Sequence, residues 1–308
     1  MNPYLKAPFN VRGSKYSALP FLFRYFPKDC DLFLEPFGGS MNVSVNMYRE
    51  QRAKQIHCFD LNEFLMKANA DIYRINPPSL FKNLLSSFII SLKEEGFFNY
   101  ERLKNKYNAM DKHFENYNDI SDTLLLYLLS CVCEQQDVIM NNYRQFCSKI
   151  DTTSSENRLQ KNVDQYLDQL TQYKKSMRRI KNRTMSIGYG NFKDFPYYTL
   201  TPKDFCYFDP PSWIMDSSFE QKLLGDWSKQ DDKEVWRICN RLNEKKIPFV
   251  YTSVLEYKDQ RYEELENWVQ EKELKMVSIP KIYCSYTKRM KYYDPKVERP
   301  LEVLITNF

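Results

Sequence analysis

Three apolar runs of this chain end in residues that could do chemistry. The run DLFLEPFGGS (31–40) passes into Glu35, Pro36, Phe37, the pair Gly38 and Gly39, and Ser40. Adjacent glycines after a strand let a ligand approach the backbone, and a helix starting there offers its unpaired amides. About twenty residues on, HCFDLN ends a second run at Asp60, the spacing at which a Rossmann-like sheet places an acid on ribose hydroxyls. The third run, DFCYFDPPSW (204–213), stops at Asp209, Pro210, Pro211, Ser212 and Trp213. The prolines fix the backbone, so a carboxylate and a carbonyl are held still as hydrogen-bond acceptors. A glycine pair alone is an ordinary turn, and Asp209 alone could cap a helix. The series of strand ends is what points to a nucleotide-type site.

Several elements must position these groups. The runs at 30–37, 56–61, 184–190, 205–210, 247–254, 274–280 and 301–308 read as strands, several of them apolar on both faces as buried parallel strands are. Helical windows such as MNVSVNMYREQR and KEVWRICNRLNEKK lie between them, and strands alternating with helices argue for a parallel α/β sheet. Residues 63–183 break the rhythm with mostly helical periodicity, and about 70–180 is expected to be a helical insertion.

Composition limits the function class. With 308 residues, 43% apolar and 16% aromatic, the chain can bury a full core. No window of about eighteen apolar residues is present, and the first residues lack a signal-peptide core, so a cytoplasmic protein without a membrane partner is expected. The eight cysteines show no paired CxxC spacing and there are only two histidines, so no metal is expected and the thiols read as small buried hydrophobes. The net charge of +5 permits a nucleic-acid partner. Lys174, Lys175, Arg178, Arg179, Lys181 and Arg183 form one basic cluster, and Lys288, Arg289 and Lys291 another. Taken alone, such runs read first as a solvated helix face or loop.

The motifs together resemble the Dam-type DNA adenine-N6 methyltransferases, especially the compact phage-like kind. RGSKYSALPFLFRYFP resembles the opening segment of that family, with Gly13, Lys15, Leu19 and Pro20 in place. FLEPFGGSMNVSVNM is similar to its methyl-donor loop, FDLN to its ribose acid, NFKDF to its segment beside the donor adenine, and YFDPPS to its catalytic motif. The resemblance implies a mixed, mostly parallel S-adenosylmethionine-dependent sheet formed by 1–69 and 184–308, with 70–183 as a helical insertion for target recognition. It also implies donor contacts from Phe9, Lys15, Glu35, Pro36, Phe37, Gly38, Gly39, Ser40, Asp60, Phe192, Asp194 and Asp209. On this reading Asp209 and the Pro210 carbonyl accept the amino hydrogens of adenine, so that its nitrogen lone pair develops towards a sulfonium methyl, and the base leaves the duplex to reach them.

The chain departs from the family at three places. Ser212 stands where an aromatic residue stacks on the extruded base, and Trp213 is the available replacement. Val11 stands where an aromatic residue usually stacks on the donor, which leaves Phe9 to substitute. The recognition hairpin is best matched by MNNYRQFCSKID (140–151), whose Asn141, Asn142 and Arg144 could read base edges in double-stranded DNA, although they also suit an ordinary loop. Lys174, Lys175, Arg178, Tyr286, Lys288 and Arg289 are the remaining candidate DNA contacts. A catalytically silent, DNA- or partner-binding relative is the alternative function.

Overall fold

The structure, a computed structural model, describes residues 3–9, 11, 13–110, 120–132, 146, 156–177, 180–214, 227–258, 260–280 and 300–308. After a short helix α1 (Leu19–Leu22), the chain forms β1 (Cys30–Glu35), α2 (Asn42–Arg49), β2 (Ala53–Asp60) and α3 (Glu63–Arg74). Helices α4 (Pro78–Glu94), α5 (Tyr100–Ala109), α6 (Ser121–Val132) and α7 (Glu156–Ser176) follow. The chain then returns to the sheet with β3 (Thr184–Tyr189) and β4 (Phe205–Phe208), followed by α8 (Lys229–Glu244), β5 (Phe249–Tyr257) and β6 (Gln260–Arg261). Helix α9 (Glu263–Glu271), β7 (Lys275–Ser278) and β8 (Leu301–Thr306) complete the described chain.

The strand order is β3-β2-β1-β4-β5-β8-β7, with β6 pairing β5 as a short antiparallel extension. Strands β1 to β5 are mutually parallel, whereas β8 runs antiparallel between β5 and β7. All seven strands expected from the apolar runs are present, and the sheet is mixed and mostly parallel, as the resemblance implies. Strand β4 explains its own sequence: every residue of Phe205–Phe208 is buried because layers cover both faces.

The strand order reverses between β1 and β4. In open α/β sheets that reversal leaves a crevice beyond the carboxyl ends of the strands, where ligands bind. Glu35 closes β1, Asp60 closes β2, and Asp209 directly follows β4, so the three sequence-predicted acids meet at one edge.

Helices α4 to α7 occupy the span that broke the strand–helix rhythm. Their apolar faces join the sheet in one continuous core: Phe81, Leu85, Leu103, Leu128 and Val163 belong to the same buried cluster as Phe33, Ile56 and Tyr207. A second cluster lies under α8 and α9, around Trp236, Tyr251, Tyr262 and Trp268. Among the described residues no helix is long and apolar enough to cross a membrane, and Cys30, Cys58, Cys131, Cys206 and Cys239 are buried free thiols.

Candidate active site

The glycine loop after β1 is shaped by what lies beneath it. A side-chain carbon on Gly38 would stand 2.5 Å from Cys58 Sγ and 3.2 Å from the Phe59 carbonyl oxygen, so only glycine fits against β2. Gly39 has a left-handed backbone, φ +45°, and donates its N–H to Asp60 Oδ2 at 2.9 Å. Asp60 Oδ1 accepts from Asn62 N at 2.8 Å, and Asn62 in turn caps α3 by accepting from Leu65 N. Loop, acid and helix start are thereby tied together. Both Asp60 oxygens thus accept from backbone amides of the loop and the helix start.

Glu35 faces inward. Its Oε2 accepts from Ser44 N at 3.0 Å, from the Ser44 hydroxyl, and from Cys58 Sγ at 3.6 Å. Burial pushes its carboxyl up to about 8, so it is mainly neutral near pH 7. It pins the base of the loop. Pro36 and Ser40 are buried as well, and Ser40 Oγ accepts from Asn42 Nδ2 at 2.7 Å while Asn42 Nδ2 also reaches Ser14 Oγ at 2.9 Å. This network fastens the GSK segment at 13–15 to the start of α2.

That attachment delivers Lys15 to Asp209. Its Nζ lies 2.9 Å from Asp209 Oδ1 and 3.8 Å from Glu302 Oε2, an acid on β8. Thr252 on β5 donates its hydroxyl to the same Asp209 oxygen at 2.6 Å, and Tyr207 lies behind it, 3.1 Å from Thr252 Oγ1. Both contacts fall on Oδ1. Among the described residues the carboxylate is held by one oxygen, which leaves Oδ2 open as an acceptor.

Aromatic rings gather beside the glycine loop. Phe37 packs on Phe192 with centroids 5.1 Å apart, and Trp227 touches both at 5.6 Å while its indole N–H donates to Asp232. Asp194 is exposed in the 3-10 turn Phe192–Asp194. Phe195 stacks on Phe59, next to Asp60, at 6.0 Å.

Two calls are corrected here and one is reoriented. Phe9 has no exposed surface and packs edge-on against Tyr127 of α6, so it has no face left to stack on a donor. Lys174 is 5% exposed and donates to the Ile72 and Tyr73 carbonyls at the end of α3. It caps a helix instead of meeting phosphate, because a lysine at a helix C-terminus satisfies carbonyls that have no partner within the helix. Burial lowers its ammonium to about 8. Trp213 is reoriented: its ring meets Tyr262 edge-on at 4.9 Å, with the Lys229 ammonium over its face at 4.3 Å. Ser212 and Pro211 remain partly exposed beside Asp209, and Lys175 is exposed. Asn141, Asn142, Arg144, Arg178, Tyr286, Lys288 and Arg289 lie outside the described residues.

The Lys174 assignment predicts that Lys174→Gln lowers unfolding stability by about 2 kcal/mol, the scale of a buried hydrogen bond to a charged group. The salt dependence of duplex binding should be unchanged. Denaturant titration and binding isotherms at several salt concentrations check both parts.

Sequence reasoning missed Thr252, Tyr207, Glu302 and Trp227. Thr252, Glu302 and Trp227 are far along the chain from Asp209, Lys15 and Phe37, and Tyr207, though two residues from Asp209, meets Thr252 only once β5 lies beside β4. The available signal was a polar or charged residue inside an apolar strand, as with Thr252 in FVYTSV and Glu302 in LEVLITNF.

Comparison with known proteins accords with this geometry. Modification methylase StsI of Streptococcus sanguinis is 24% identical over 99% of this chain and 43% of its own length. Type II methyltransferase M.FokI of Planomicrobium okeanokoites is 24% identical over 100% and 43%, and modification methylase LlaI of Lactococcus lactis subsp. lactis 22% over 98% and 43%. The chain thus spans less than half the length of these curated relatives. Residues 12–279 match the family described as D12 class N6 adenine-specific DNA methyltransferase, from the segment that supplies Lys15 to the strand that flanks β8, and the chain belongs to that family.

Proposed function

We propose that this chain transfers a methyl group from S-adenosylmethionine to N6 of an adenine extruded from double-stranded DNA. The observation that carries the reading is the Asp209 carboxylate, anchored through Oδ1 by Lys15 and Thr252 at the strand-order reversal, beside the glycine loop. Adenine N6 is a weak nucleophile because its lone pair is delocalised into the ring. Asp209 Oδ2 and the Pro210 carbonyl, accepting the two amino hydrogens, draw that lone pair out of the ring. When the N–C bond has formed, Asp209 Oδ2 takes the surplus N6 proton and passes it to solvent.

The site's chemistry fits the donor, which when bound supplies a sulfonium methyl and leaves as the neutral sulfide. The Asp60 carboxylate beneath the glycine loop and the ring pair of Phe37 and Phe192 suit the ribose and the adenine of that donor. Asp60 would hold the ribose hydroxyls, and Phe37, Phe192 and Asp194 would border the adenosine. Calorimetry tests this: S-adenosylmethionine should bind, ATP should not compete, and Asp60→Ala should weaken binding about tenfold or more by removing hydrogen bonds to a charged acceptor. Binding unaffected by Asp60→Ala would remove the pocket assignment.

The helical block 70–183 is the proposed target-recognition part, with Asn141, Asn142 and Arg144 on base edges and Lys175 and Arg178 on phosphates. Tyr286, Lys288 and Arg289 are proposed to meet DNA beside the catalytic motif. Duplex affinity should therefore fall steeply with salt.

A second reading, a silent binding relative, is favoured by one observation: Ser212 cannot stack on a base, and the Trp213 ring is already engaged by Tyr262 and Lys229. Donor binding without transfer to any DNA, together with activity gained by Ser212→Tyr, would establish it.

A further inference from the structure

The last strand carries an acid that the proposed chemistry does not use directly. Glu302 sits near the start of β8, a strand otherwise apolar up to Thr306, and its side chain is only 9% exposed. A buried carboxylate is costly unless a charge compensates it. The compensating group is the Lys15 ammonium, 3.8 Å away, which also lies 2.9 Å from Asp209 Oδ1. Topology makes the meeting possible. Because β8 runs antiparallel to β5, with Glu302 opposite Val254, it begins at the sheet edge where β4 and β5 end. One cation from near the start of the sequence therefore serves two acids that lie far along it, at 209 and 302.

We propose that Glu302 is a positioning residue for methyl transfer, holding Lys15 to one oxygen of Asp209 so that the other stays open to the target amine. The inference rests on the methyl-transfer reading. Lysine is a compact charge on a flexible stem. Lys15 Nζ also donates to the Gly13 carbonyl at 3.2 Å, but a neutral acceptor holds an ammonium less strongly than a carboxylate does; with Glu302 neutral, the ammonium shifts towards Asp209 and settles between both carboxylate oxygens, where it blocks Oδ2 and weakens it as an acceptor. With Glu302 charged, the ammonium is shared. Thr252 cannot replace this role, since its hydroxyl donates to Oδ1 and exerts no pull on the lysine.

The test is a cycle of Glu302→Gln, Lys15→Met and the double variant, read by single-turnover methyl transfer with donor and duplex DNA in place. Glu302→Gln should slow transfer about tenfold or more, with donor affinity within about twofold of wild type. In the Lys15→Met background the same change should cost less than about twofold, because the cation on which Glu302 acts is gone. An unchanged rate in Glu302→Gln, or slowdowns that multiply across the cycle, would overturn the assignment. Should Glu302→Gln not fold, Glu302→Asp, which draws the carboxylate back from Lys15, gives the same comparison: slower transfer with Lys15 present and no further loss with Met at that position. Wild-type protein inactive on all DNA would sink the methyl-transfer reading instead. Equilibrium unfolding of the same four proteins then reads the pair without turnover: non-additive costs retain the Lys15–Glu302 coupling, and additive costs remove it.

Discussion

Replacing Asp209 by alanine is expected to lower methyl transfer about a thousandfold or more while leaving donor affinity within about threefold. The carboxylate follows a strand that is buried on both faces, and its Oδ1 is fixed from two directions, by Lys15 at 2.9 Å and Thr252 at 2.6 Å. Its orientation is set before a substrate arrives, so its interaction with the amine strengthens as positive charge develops on N6. An interaction made mainly in the transition state is lost from the rate and not from ground-state binding. Thr252→Val keeps the charge and Lys15 but loosens Oδ1, and should produce a smaller loss, about tenfold. Single-turnover kinetics and calorimetry on the same preparations separate the two quantities. A parallel fall in donor affinity and rate for Asp209→Ala would place the carboxylate in donor binding instead.

The second large effect belongs to Gly38. A methyl group there would lie 2.5 Å from Cys58 Sγ, 3.2 Å from the Phe59 carbonyl oxygen and 3.3 Å from Met66 Cε. Two of those neighbours belong to β2, a strand paired on both sides, so the loop and not the sheet must give way. Overpacking of this kind costs about 1–3 kcal/mol. The displaced loop would also break the hydrogen bond from Gly39 N to Asp60, and with it the pocket floor. Gly38→Ala should therefore weaken donor binding about tenfold or more and lower the melting temperature. Gly39→Ala meets only Val11 Cγ2 at 3.5 Å and suffers only backbone strain, of about 1–2 kcal/mol. Cys58→Ala should partly rescue Gly38→Ala by removing the nearest clash. Equal losses at the two glycines, with no rescue, would contradict the packing argument.

The fold was legible because its signals are local. Seven apolar runs announce seven strands, and Glu35, Asp60 and Asp209 stand at strand ends in the order a nucleotide-binding sheet needs. What holds those acids was not legible. Thr252 reads as an ordinary β-branched strand residue until β5 lies beside β4, and Glu302 reads as an edge charge until an antiparallel strand brings it to Lys15. Lys174 shows the converse failure. A run of cations does not reveal which of them points inward, and only the packing of α7 against the end of α3 turns this one into a helix cap. Phe9 failed for the same reason, since an aromatic next to a motif is as easily core as ligand wall.

The central claim is the transfer of methyl to adenine N6, and the measurement closest to it is the identity of the modified nucleoside. The protein would be incubated with isotope-labelled S-adenosylmethionine and heterogeneous bacterial or phage DNA, so that no recognition sequence is presumed. The DNA would then be digested to nucleosides and resolved by mass spectrometry. Label in N6-methyladenine, absent with Asp209→Ala, is the predicted result. Label in N4-methylcytosine, whose amine would meet the same two acceptors, would contradict it, and so would donor binding that leaves every DNA unlabelled.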